Sequence, residues 1–132
     1  MNVRKADDFI ADAELQYQWY AERAGWDVAE RYLAAIAATC ALIERHPVIG
    51  PAAALTHPRL AAWRFFVVLR PFHRHVLFYE IVVGEVIMRR VVHGQRHLSR
   101  RLLEPPARSD RATATIHDSQ TDPAYPLSRF TD

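Results

Sequence analysis

The hydrophobic period of this chain changes once, and that change limits what it can fold into. Up to about residue 46 the large apolar side chains recur at helical spacing, and from Trp63 onward they run in consecutive β-rich stretches. The first half reads as two helices. Ile10, Ala13, Tyr17, Tyr20 and Ala24 mark a stripe along residues 7–24, with Asp7 or Asp8 as cap and Gly25 as stop. Val28, Tyr32, Leu33, Ile36, Cys40 and Ile43 mark a second stripe, opened by Asp27 and Glu30 at capping-box spacing and ended before Pro47. So short a link makes the pair an antiparallel helical hairpin.

Residues 47–62 hold Pro47, Gly50, Pro51 and Pro58 and read as a loop, with a short helical turn expected at Ala52–Leu55. Three β-rich runs follow: Trp63–Leu69, His75–Val82 and Glu85–His93. Pro71 and the Val83-Gly84 pair separate them, which predicts an antiparallel meander with its middle strand covered on both faces. Asn2–Lys5 is a weak further strand, and Leu98–Glu104 a short helix halted by Pro105-Pro106. The expected fold is α+β: an N-terminal antiparallel helical hairpin on a three- to four-stranded antiparallel sheet. Residues 1–104 form the domain, and 105–132, rich in Pro, Ser, Thr and Asp, read as a poorly ordered tail.

Length and cysteine usage narrow the class. A chain of 132 residues is one domain, and its single cysteine, Cys40, allows no internal disulfide. No run approaches the roughly 20 apolar residues of a membrane span, and the first eight residues lack the apolar stretch of a signal peptide. A cytoplasmic protein with no membrane partner is expected.

The net charge of +2 hides an asymmetry. Residues 1–58 carry a net of −3, residues 59–104 a net of +6, and residues 105–132 a net of −1. Lys5 is the only lysine, so nearly every cation is a guanidinium, which forks onto carboxylate and phosphate. The basic stretch points to an anionic partner, either nucleic acid or an acidic protein segment, against the alternative of solvated surface charge.

The seven histidines lack the convergent spacing of a metal site and are expected at the surface, with no metal and no cofactor. His93, Arg96, His97 and Arg100 lie close enough in sequence to supply a base, an acid and phosphate-binding cations for RNA cleavage. The same residues equally serve binding without chemistry. Ser99, Ser109, Ser119 and Ser128 sit on no strand-to-helix elbow, so a serine nucleophile is not supported.

Two stretches carry a family resemblance. Pro71-Phe72-His73-Arg74-His75-Val76-Leu77-Phe78-Tyr79-Glu80-Ile81, followed by Val86-Ile87-Met88-Arg89-Arg90-Val91-Val92-His93-Gly94-Gln95-Arg96, resembles the ending of the RelE/ParE toxin superfamily. His46-Pro47-Val48-Ile49-Gly50 is similar to the short Pro-and-Gly motif that follows its second helix. The likeness spans about residues 7–104, and Arg90-Val91-Val92-His93-Gly94-x-Arg96 is its most specific part.

The resemblance implies the toxin of a bacterial type II toxin–antitoxin pair. Its partner would be an antitoxin with a DNA-binding N-terminal domain and an acidic C-terminal segment that orders on the toxin. RelE-like members cut mRNA in the ribosome; ParE-like members poison DNA gyrase. Val76 stands where a RelE-like toxin would carry a catalytic arginine, and Leu102 near the place of its late tyrosine, which favours the ParE-like branch. His97 replaces an aspartate common in the family.

The expected target-facing residues are Arg90, His93, Arg96, His97, Arg100 and Arg101, with a structural ion pair as the equal alternative for Arg90. Tyr17, Tyr20, Trp26, Arg64 and Arg74 are candidate antitoxin contacts. A ribosome-dependent mRNA endonuclease using His93, Arg96 and His97 is the second reading, and a non-toxic binding remnant the third.

Overall fold

Two helices that cannot bury their apolar faces alone lie against one side of a sheet, in a computed structural model that describes residues 1–94 and 98–106. The elements run β1 (Asn2–Lys5), α1 (Asp7–Ala24), α2 (Trp26–Arg45), a 3₁₀ turn (Pro58–Leu60), β2 (Arg64–Val67), β3 (His75–Val82), β4 (Glu85–His93) and α3 (Leu98–Leu103). The fold is α+β. Arg96, His97 and residues 107–132, the bulk of the expected tail, lie outside the described residues.

Gly25 alone joins α1 to α2. Its φ of 99° suits glycine, and its N–H donates to the carbonyl of Tyr20. Neither expected side-chain cap forms: α1 is capped by Ala6 and α2 by Gly25, both without a side-chain hydrogen bond. Asp7, Asp8 and Asp27 sit instead in the first turns, where the helix dipole favours them. The α2 stripe is buried at Tyr32, Ile36, Cys40 and Ile43, while Leu33 faces outward. In α1 the buried positions are Phe9 and Ala13, and Ile10 is 41% exposed. The α1 face is rotated because a polar residue, Asp12, turns inward to serve β4.

The sheet order is β1-β4-β3-β2. β2, β3 and β4 form the expected antiparallel meander, with Val82 opposite Glu85 at the Val83-Gly84 turn. The sheet as a whole is mixed rather than antiparallel, because β1 runs parallel to β4, from Asn2 opposite Glu85 to Lys5 opposite Met88. The hairpin carries the chain from this edge strand onto the sheet face, and the meander starts at the opposite edge. The fourth strand therefore meets the first in the same direction.

β3 is covered on both faces. Leu77 and Tyr79 pack with Tyr32, Ile36 and Met88 on the hairpin side. Val76 and Phe78 pack with Leu60, Trp63, Val92, Leu98 and Leu102 on the other. The expected helical turn at Ala52–Leu55 is absent. Ala53 donates its N–H to the Trp63 carbonyl and Phe65 donates to the Pro51 carbonyl, so this backbone is used to pair with the β2 edge. The only helical turn of the loop comes later, at Pro58–Leu60, where His57 Nδ1 accepts from the N–H of Arg59.

Candidate functional site

At one end of the sheet the β3–β4 register sets His75 directly opposite His93. Alternation along each strand points both rings toward the hairpin. Their centroids are 4.7 Å apart, and His75 Nε2 shares a 2.9 Å hydrogen bond with the Tyr20 hydroxyl of α1. Tyr32 and Phe72 complete an aromatic wall around His75, which is only 1% exposed. The expectation of surface histidines therefore fails at His75, since it shares the hairpin-facing side of the doubly covered β3 with Leu77 and Tyr79 and so lies in the core.

Burial holds the His75 pKa well below the usual histidine value, with His93 adding to the effect. His93 is pushed down to about 4, first by burial and then by the guanidinium groups of Arg101 and Arg74. Tyr20 is raised to about 12 by burial. The three groups are thus all neutral at neutral pH. Among the described residues, no three His, Cys, Asp or Glu side chains converge as a metal site.

Next to this end lies a buried ion pair. Between Phe78 and Tyr79 the β3–β4 register shifts, and Arg89 becomes the extra residue of a bulge. Arg89 then pairs with Glu80 at 2.5 Å. Arg90 turns to the strand edge, where its side chain is 5% exposed. Its Nε and Nη2 donate to the two carboxylate oxygens of Asp12, at 2.7 and 3.0 Å. Asp12 Oδ2 also accepts the N–H of Val91 at 3.0 Å. Burial raises the Asp12 pKa, while the Arg90 fork and the Val91 N–H oppose the rise. Arg90 was a candidate for facing a target; its guanidinium instead points into the protein.

The other expected target residues divide. Arg101 donates to the His93 carbonyl at 2.8 Å and is partly buried, so it too has a structural task. Arg100 is exposed, with a loose 4.0 Å pair to Glu104. Arg96 and His97 lie outside the described residues.

The candidate antitoxin contacts are dispersed. Trp26, at the tip of the hairpin, is 66% exposed and rests against Tyr17, whose hydroxyl donates to Glu30. Tyr20 is committed to the His75 cluster. Arg64 donates to the carbonyls of Gly50 and Val48, bracing the loop after α2. Arg74 lies beside His93.

Two important residues escaped the sequence reading. Asp12 has no motif around it, and only its position on the helix face turned toward β4 reveals its role. Tyr79 sits in an apolar run and looked like core. Its hydroxyl donates to the Pro47 carbonyl at 2.6 Å and accepts the N–H of Gly50 at 3.0 Å.

A helical hairpin on one face of a four-stranded mixed sheet, with a short basic helix on the other, defines a small α+β scaffold. A family model described as the ParE toxin of the type II toxin–antitoxin system parDE matches residues 3–98. The chain belongs to this ParE toxin family. Its fold is similar to a solved structure titled the chromosomal ParDE TA system from P. aeruginosa, with a TM-score of 0.59 and 15% identity over 70% of this chain and 95% of that one. At that identity the likeness speaks for the fold alone. No curated protein matches. Among the described residues, no helix is long and apolar enough to cross a membrane.

Proposed function

We propose that this type II toxin acts by binding and inhibiting DNA gyrase, and that a cognate antitoxin neutralises it in the cytoplasm. The ParE family match over residues 3–98 supports the binding reading over RNA cleavage, and the buried state of His93 agrees with it. A general acid must hold a proton near neutral pH, and a histidine with a pKa of about 4 does not. The same ring packs edge-on against His75.

The residues assigned to the target are Arg100, Arg101 and His93 at the end of the sheet, with Arg96 and His97 between them in sequence. The net charge of +6 over residues 59–104 supports an acidic antitoxin segment as the natural ligand of this half. Trp26 and Tyr17 on the hairpin are proposed as its aromatic anchors, and Arg64 and Arg74 as its cationic contacts.

The test is to express the chain alone in a bacterium and pulse-label DNA and protein synthesis separately. An early stop in DNA synthesis with translation continuing is expected. An early stop in translation would favour ribosome-dependent mRNA cleavage, and no effect on either would favour a binding remnant.

A further inference from the structure

β1 pairs with β4 only as far as Met88, and among the described residues no strand lies beside the β4 edge beyond that point. Asp12 takes the strand's place by accepting the Val91 N–H, and it brings a carboxylate to the edge of the sheet. Arg90 fills the gap between this carboxylate and α3. While Nε and Nη2 hold Asp12, Nη1 donates to the carbonyls of Arg101 and Leu102, both at 3.2 Å, and of Glu104 at 2.5 Å.

The first two carbonyls lie at the end of a helix of only six residues, and the third directly follows it. So short a helix is not stable by itself, and its last carbonyls have no partners within the helix. A cation at that end also interacts favourably with the negative end of the helix dipole. Among the described residues α3 is also held by the apolar contacts of Leu98, Leu102 and Leu103 and by the Arg101 bond to the His93 carbonyl.

We infer that Arg90 is a positioning residue rather than a target contact: it clamps α3 to α1 across the strand edge and so sets where Arg100 and Arg101 stand. The toxic role given to α3 rests on the function proposed above, whereas the clamp does not. The hairpin and the basic helix become one mechanical unit through a single guanidinium.

Hydrogen exchange on the full chain tests the clamp, and growth arrest tests its consequence. Arg90→Lys keeps a cation opposite Asp12 but loses the fork. Its amides in 98–104 are expected to exchange about tenfold faster, with β3 and the hairpin little changed. Growth arrest should weaken in parallel. Should that variant fail to fold, Asp12→Asn keeps the side-chain shape, loses the charge, and is expected to loosen the same segment. Ethylguanidinium added to Arg90→Ala should restore protection at 98–104, and ethylammonium should not.

A folded Arg90→Lys with wild-type exchange at 98–104 would overturn the inference, as would a loss spread evenly over the whole chain. Faster exchange with undiminished growth arrest would overturn the positioning role. Growth arrest reads toxicity whatever the target, so a failure of the gyrase reading leaves this test intact. A wild-type chain that arrests nothing overturns the toxic role of α3 and the positioning role with it.

Discussion

His75 and His93 stand opposite each other across the β3–β4 pair, with their rings in edge contact and 4.7 Å between centroids. Both are held neutral by burial, and neither can take a proton without charging an apolar site beside the other.

Stability should therefore fall in mild acid. The unfolded chain binds a proton at each histidine near pH 6.5, while folded His93 waits until about pH 4. The contribution is fully present above pH 6.5 and is lost as pH drops toward 4. For His93 alone the loss is on the order of 3 kcal/mol. Thermal midpoints measured from pH 7.5 to 4.5 should decline steeply, and His93→Gln should flatten the slope. A profile that is already flat in the wild type would refute this account.

Gly50 should tolerate no side chain. A Cβ there would overlap the Phe65 carbonyl oxygen and crowd the Tyr79 hydroxyl. Gly50→Ala is expected to cost about 2–3 kcal/mol through forced backbone movement. Tyr79→Phe, which strands the Pro47 carbonyl and the Gly50 N–H, is expected to cost about 1–3 kcal/mol. Denaturant melts of both variants check this. Wild-type midpoints would mean that the loop after α2 does not depend on the lock.

Arg100 and Arg101 should separate binding from folding. Arg100 is exposed and only loosely paired, so Arg100→Ala should leave the melting temperature in place and weaken growth arrest. Arg101 holds the His93 carbonyl, so Arg101→Ala should lower both. Equal toxicity of Arg100→Ala and wild type would remove Arg100 from the target surface.

Trp26 offers a test of the antitoxin face. It is largely exposed, so Trp26→Ala should change stability by no more than about 0.5 kcal/mol. Loss of an aromatic anchor should weaken antitoxin binding about tenfold or more. Calorimetric titration of wild type and variant with the antitoxin decides the matter, and equal affinities would move the interface away from the hairpin tip.

Much of the architecture can be read from the chain because it depends on local rules. Helical spacing between Asp7 and Arg45, one glycine at 25, and β-rich runs broken by Pro71 and Val83-Gly84 are short-range signals. The candidate site is less legible. His93 is visible in the RelE/ParE-like ending, and Arg100 and Arg101 in the short helix after it, but neither signal says which way each one faces. Arg90 belongs to the same stretch as His93, yet the bulge at Arg89 turns it inward.

By itself, then, the sequence determined the helical hairpin, the meander, the double cover of β3 and the basic character of the second half. Hydrophobic period, chain breakers and charge act over a few residues and need no knowledge of the partner. Tertiary structure decided the parallel entry of β1, the inward turn of Asp12, the Tyr79 lock on Gly50 and the burial of His75. Each of these joins positions from 18 to 83 residues apart in sequence whose pairing depends on which strand edge is left open and which side chain can fill it.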